Sequence, residues 1–253
     1  PLNLLLVTSP DMLPSGYEDR VSEAVRHYWS TLRRQASQVG EGDRGGRAAV
    51  TGGRQMDGFA ALVTWLLREC GLPPESIYDR QRRELPGFFR PTKEWDVLVV
   101  HRQQLLAAVE FKSQKGPSFG NNYNNRTEEA LGSATDLWTA YREGAFGKGA
   151  VRPWLGWLML VEDADGSRRP VSVSESHFSV FPEFAERPSY AKRYELLLSK
   201  LRRERMYDGT ALLLSSMDSC EENIYSEPSD ELSIRRFLAA LAGHVRGFLD
   251  GEQ

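Results

Sequence analysis

The sequence predicts an α/β fold in which a mixed central β-sheet is flanked by helices, and three observations point there. Apolar runs of strand length alternate with stretches whose apolar residues recur at helical spacing. A short polar break, "HRQQ" at 101–104, joins two of those runs as an antiparallel hairpin. The run "WLGWLMLVE" at 154–162 is apolar without alternation, as a strand covered on both faces must be.

Taken in order, "PLNLLLV" at 1–7 reads as a buried strand or an arm. It is too short for a secretory apolar region and no basic segment precedes it. Residues 17–36 place Val21, Ala24, Val25, Tyr28, Trp29 and Leu32 on one face, which predicts an amphipathic scaffold helix. Residues 38–55 hold six glycines with Arg44, Arg47 and Arg54 and read as a mobile loop. Gly40-Glu41-Gly42-Asp43-Arg44-Gly45 spells a dinucleotide-binding turn, but it follows a helix and no helix opens after it, so the required context is missing. The loop's arginines suit closure over a phosphate backbone.

A second helix is predicted over 56–70, with Phe59, Ala60, Leu62, Val63, Leu66 and Leu67 inward and "GLPP" as its stop. "WDVLVV" (95–100) and "LLAAVEFKS" (105–113) form the hairpin. An asparagine-rich loop follows, then a helix over 126–143, where Asn125 and Glu128 have the form of a capping box. After the strand at 154–162 come a basic amphipathic helix (191–206), a buried strand "TALLLSS" (210–216) and a closing helix (231–249). The basic helix, with Lys200, Arg202, Arg203 and Arg205, reads equally as a cleft lining or a solvated face.

With 253 residues, 40% hydrophobic and 26% charged, the composition is that of a globular chain, without repeats and without an apolar stretch near the roughly 20 residues of a membrane span. Cys70 and Cys220 fit neither a disulfide framework nor a zinc spacing and point to a reducing cytosol. Asn125-Arg126-Thr127 matches a glycosylation sequon, to which no signal peptide gives meaning. The net charge is −3, but residues 218–231 hold six acids and no base, which leaves the rest of the chain at +3. A locally positive cleft for nucleic acid is therefore compatible with the overall balance.

The hairpin carries the chemistry. Glu110 and Lys112 share one face of their strand, because strand side chains alternate. A three-residue turn centred on Gln103 would set Asp96 directly opposite Glu110, with Cβ atoms roughly 4.5 to 5.5 Å apart. Two carboxylates so placed need a cation, and oxygen ligands suit Mg²⁺. Lys112 beside such a site could orient or deprotonate a nucleophile, or offset charge developing on a phosphoryl group. The plain alternative is a solvated Glu110–Lys112 pair with Asp96 capping a turn; charge embedded among Val, Leu, Ala and Phe weighs against it.

Asn121, Asn122, Asn124 and Asn125 each carry the paired donor and acceptor that reads adenine in a major groove, and Arg126 can read guanine or clamp a phosphate. Tyr123 between them can stack or pack. Asparagines in ordinary turns are the bland reading.

"EWDVLVV" followed by "AAVEFKSQKGPSFGNNYNNRTEEALGSATD" closely resembles the core of the XhoI family of type II restriction endonucleases, a branch of the PD-(D/E)XK nucleases; the resemblance covers residues 94–140, about a fifth of the chain. It implies a restriction-endonuclease-like core at about 56–216 inside a single catalytic and DNA-binding domain, 1–253, with helical additions at both ends. It further implies a homodimer in the bacterial cytoplasm that cuts the palindrome CTCGAG in double-stranded DNA with Mg²⁺, and a cognate DNA methyltransferase in the same system. Asp96 takes the place of the motif's first acid, Glu110 its second and Lys112 its lysine; Asp96 and Glu110 would hold the metal. Trp95 stands where the superfamily often has proline. A helix-borne third acid is common in the superfamily, and Asp57, Glu69 and Glu129 are its candidates here.

Two other readings stay open on the residues alone. A structure-selective or repair nuclease on the same core would leave intact plasmid without discrete fragments. A sequence-specific DNA-binding protein without catalysis would retain duplex DNA and cut nothing.

Overall fold

In the computed structural model, residues 13–39, 54–174, 177–218 and 224–251 are described. The arm at 1–7, Cys220 and loop residues 40–53 lie outside them. Seven strands occur among the described residues: β1 (Ile77–Tyr78), β2 (Glu84–Pro86), β3 (Thr92–Glu94), β4 (Val97–His101), β5 (Gln104–Gln114), β6 (Trp154–Glu162) and β7 (Gly209–Ser215). Five longer helices accompany them: α1 (Tyr17–Val39), α2 (Asp57–Glu69), α3 (Phe119–Arg142), α4 (Tyr190–Arg203) and α5 (Ile234–Asp250).

Five strands make one sheet in the order β1-β4-β5-β6-β7. β4 pairs antiparallel with both β1 and β5, while β5-β6 and β6-β7 are parallel, so the sheet is mixed. Each parallel pair is joined by a crossover helix, α3 and then α4. β6 and β7 are buried almost throughout, as their unbroken apolar sequences require.

Alternation along the strands splits the core in two. Val97, Val99, Val109, Phe111 and Leu158 pack against α1, α2 and α5 through Val25, Phe59, Leu66 and Leu238. Leu98, Ala108, Trp157 and Met159 face α3 and α4 through Ala134, Leu137, Tyr194 and Leu198. Phe59 and Phe111 bring α2 onto the end of β5, with ring centroids 6.3 Å apart.

Three details differ from the sequence expectation. The β4-β5 turn has two residues, Arg102 and Gln103, both in the left-handed region (φ 46° and 64°), rather than three. A bulge between Val99 and Val100 then leaves Leu106 without a partner and restores the register that a three-residue turn would have set. The second departure is that α3 begins at Phe119, not after the asparagines, so no capping box forms at Asn125. Phe119 and Tyr123, four apart on its inner face, pack on Tyr190 and Tyr194, and this tertiary contact overrides the turn preference of asparagine. Finally, β2 and β3 form a separate two-stranded hairpin that precedes β4.

Candidate active site

The register that pairs Val97 with Val109 puts Asp96 opposite Glu110 at the next position along. Asp96 lies just before β4; its N–H donates to the Val109 carbonyl at 3.1 Å, and its Oδ2 accepts from the Phe111 N–H at 2.6 Å. The backbone of β5 thus fixes the Asp96 carboxylate.

Glu110 is only 5% exposed, and a carboxylate so buried needs compensation. Lys112, on the same face of β5, donates to its Oε1. Lys93, from β3, donates to its Oε2 at 2.8 Å and sits 4.3 Å above the Trp95 ring. Burial pulls the Lys112 ammonium down, but the charge and hydrogen bond of Glu110 outweigh it and hold the lysine above its ordinary value. A cavity of about 440 Å³ opens here, lined by Arg90, Lys93, Glu110, Lys112, Glu128 and Glu129.

Asp96 opens onto a different cavity, about 230 Å³, lined among others by Arg54, Asp57, Asp79, Arg83 and Phe111. Thr64 holds Asp79 with a 3.0 Å hydrogen bond. Burial, and then the negative charge of Glu110, push the Asp96 carboxyl up to about 6 from 3.8. Of the three candidate third acids, Asp57 lines the Asp96 cavity, Glu129 lines the Glu110 cavity, and Glu69 lines neither, exposed at the last turn of α2.

The amide cluster occupies the first two turns of α3 and not a loop. Asn121, Asn124 and Asn125 are exposed and Asn122 is half-buried. Among the described residues their side chains make no hydrogen bond to the rest of the chain. Asn121, Asn125 and Glu129 follow at four-residue intervals, as do Asn124 and Glu128, so the amide stripe runs straight into the Glu110 cavity. Its near end lies about 6 Å from Glu129 along the helix axis, at 1.5 Å per residue. Arg126 is paired with Glu129 instead of reaching outward, and Tyr123 packs inward.

Reasoning from sequence missed Lys93, Arg90 and Asp136. The signal available for the first two was the density of bases at 80–93, "RQRRELPGFFRPTK". Asp136, 3% exposed and carried on α3, ties the β2-β3 tip down by accepting from Arg90 Nε at 2.8 Å.

Among the described residues no group of three or more His, Cys, Asp or Glu side chains gathers around one point. Asp96 and Glu110 oppose each other across the β4-β5 ladder, and the Asp96 carboxyl is raised first by burial and then by the charge of Glu110. Two carboxylate donors, with the remaining positions left to water and phosphate oxygens, fit a hard ion such as Mg²⁺.

Also among the described residues, no helix is long and apolar enough to cross a membrane. No solved structure matches the chain. Residues 34–227 match the family described as restriction endonuclease XhoI. The chain is 53% identical over 208 residues to the type II restriction enzyme BstVI of Geobacillus stearothermophilus, covering 80% of this chain and 92% of that protein. It is 49% identical to the type II restriction enzyme XhoI of Xanthomonas vasicola (72% and 75% covered) and 48% identical to AbrI of Azospirillum brasilense (70% and 80%). With its acids opposed at the end of a mixed sheet and its similarity extending well beyond the residues around them, the chain belongs to the XhoI family of type II restriction endonucleases.

Proposed function

We propose that this endonuclease hydrolyses both strands of double-stranded DNA at the palindrome CTCGAG, as a homodimer and with Mg²⁺, one domain supplying both catalysis and recognition. The observation that carries the reading is the opposition of Asp96 and Glu110 with Lys112 on the same face, beside a helix whose amides are exposed and unengaged. The palindrome, the dimer and the bacterial cytoplasm follow from the family resemblance of residues 94–140; a two-fold dimer presents the same α3 to each half-site.

Asp96 and Glu110 would hold the metal ion. When bound, Mg²⁺ polarises the phosphate and makes a water molecule more acidic. Asp96, its Oδ2 accepting from the Phe111 N–H, would supply one donor and Glu110, opposite it across the ladder, the other. Lys112 is held as an ammonium by Glu110, which favours charge stabilisation over proton abstraction. Its Nζ would donate toward a phosphoryl oxygen as negative charge grows there. Water forms the new P–O bond and the bridging oxygen leaves with a proton. In the same cavity Arg90 and Lys93 add positive charge facing the DNA backbone. Asn121, Asn122, Asn124 and Asn125 read base edges, with Arg126 moving from Glu129 to a base or a phosphate. A cognate methyltransferase in the same system protects the host's own targets.

Digestion of a plasmid of known sequence, with Mg²⁺ and with EDTA, tests this directly. Discrete fragments ending at CTCGAG, formed only with metal, are expected. Ends at another sequence would replace the proposed site, and intact plasmid under both conditions would remove the catalytic reading.

A further inference from the structure

The β2-β3 hairpin ends in Gly87-Phe88-Phe89-Arg90, and its two phenylalanines are 52% and 69% exposed. They touch each other edge to face, with ring centroids 4.9 Å apart, and stand away from the core. The backbone beneath them is firmly held. Asp136 Oδ1 accepts from both the Phe88 and the Phe89 N–H at 2.8 Å, while its Oδ2 accepts from Arg90. A Cβ at Gly87 would lie 2.6 Å from Asp136 Oδ2 and 2.7 Å from the Arg90 carbonyl, so this close approach admits glycine alone.

Two adjacent exposed phenylalanines on a tip held by hydrogen bonds make a small, fixed apolar patch. Helix α3 shows where that tip stands. Its first turns carry the amides, its middle (Glu128, Glu129) lines the Glu110 cavity, and Asp136, about 10 Å further along at 1.5 Å per residue, anchors the hairpin. The catalytic cavity therefore lies between the amides and the phenylalanines. A phosphodiester in that cavity has one groove of the duplex on the amide side and the other on the hairpin side.

The charge around the tip matches DNA and not a second copy of this chain. Residues 80–93 contain five bases and one acid. Arg83 and Arg90 are paired with Glu94 and Asp136, but Arg80 and Arg82 remain at the surface. In a two-fold contact the patch would meet itself, base against base. Two partly exposed phenylalanines also supply only about 200–300 Å² of apolar area, against the ~800 Å² per partner of a stable interface.

We infer that the β2-β3 tip is an aromatic wedge: Phe88 and Phe89 enter the groove opposite the amides and press on a base step beside the cut, with Asp136 as their positioning residue. The inference rests on the endonuclease reading. Apolar side chains that enter a groove in this way part neighbouring bases and kink the duplex.

The test begins with the cut site mapped on a plasmid by the parent protein. Short duplexes are then built around that site with 2-aminopurine at successive positions, and Ca²⁺ replaces Mg²⁺ to hold the complex uncut. Parting of a base step raises 2-aminopurine fluorescence, and the parent should raise it at one step next to the cut. The double variant Phe88→Ala/Phe89→Ala should lose that signal and bind the duplex about ten-fold or more weakly, the range for lost base–aromatic stacking. Its thermal melting should not change, because both rings are exposed. Phe88→Leu, still apolar, should keep part of the signal. A parent that cuts its site without any rise in fluorescence sinks the wedge and leaves the nuclease reading standing. A double variant that falls from dimer to monomer in sedimentation, with the 2-aminopurine signal of the bound fraction unchanged, makes the tip a protein interface instead. A parent that cuts nothing removes the nuclease reading and the wedge together.

Discussion

Asp96 and Glu110 stand opposite each other at the end of one hairpin, yet their surroundings are opposites. Glu110 has an ammonium on each oxygen, Lys112 on one and Lys93 on the other. Asp96 has a single backbone N–H, and shares its cavity with Asp57 and Asp79 as well as Arg54 and Arg83. One carboxylate is balanced before any ligand arrives; the other is held in a proton-attracting state by burial and its neighbour's charge. A metal ion would therefore gain most at Asp96 and would have to compete with lysines at Glu110.

The largest effect that could break this picture is catalytic. Asp96→Ala, Glu110→Ala and Lys112→Ala should each slow cleavage by about 10³-fold or more, roughly 4 kcal/mol of transition-state stabilisation. Single-turnover cleavage of a site-bearing duplex measures it; any of the three cutting at the parent's rate removes that residue from the active site.

Next comes stability against pH without metal. Asp96 titrates near 6 in the fold and near 3.8 when unperturbed, so between these values the fold keeps a proton that the unfolded chain has lost. Its contribution to stability therefore declines as pH rises from about 4 through 6, and stays low above. Asp96→Asn, which can still accept from Phe111, should be more stable than the parent by roughly 1–3 kcal/mol at pH 8 in EDTA, with the gap closing below pH 4. Melts at both pH values settle it: a gap of equal size at each would mean burial is not the cause.

The amide stripe leads along α3 toward Glu128 and Glu129 at the Glu110 cavity. Asn124→Ala and Asn125→Ala should weaken binding to the specific site by about ten-fold while leaving random duplex nearly unaffected, the discrimination expected of a lost base contact. Equal losses on both DNAs would make the stripe a phosphate clamp. The smallest effect is expected at Lys93. Lys93→Met relieves the competition at one Glu110 oxygen and should lower the Mg²⁺ concentration for half-maximal cleavage by about three-fold, roughly 0.7 kcal/mol. An increase would show that Lys93 organises Glu110 for the metal instead of competing with it.

Much of this arrangement is legible in the chain. β6 and β7 are continuous apolar runs, and α1 and α2 carry uninterrupted helical stripes, so local pattern and tertiary placement agree. The facing of Asp96 and Glu110 also followed from the hairpin, though by a different turn. What failed was local preference under tertiary override. The asparagines looked like a loop because amides favour turns, and only the spacing of Phe119, Tyr123, Ala130, Ala134 and Leu137 extends the helix back across them. The β2-β3 hairpin was missed because its strands have three residues each, too short for any periodicity, and its support comes from Asp136 more than forty positions away.

The bulge in the β4-β5 hairpin has a consequence for how this family can vary in length. With a two-residue turn and uniform pairing, Asp96 would face Val109, and the β4 side chains up to Val99 would point to the wrong side of the sheet. Leu106 is the extra residue that returns Asp96 to Glu110. Hairpin tips ordinarily tolerate insertion and deletion freely. Here a single residue lost or gained between Asp96 and Glu110, with nothing to compensate it, would turn the two acids to opposite faces of the sheet, so the turn and the bulge act on the active site as one unit.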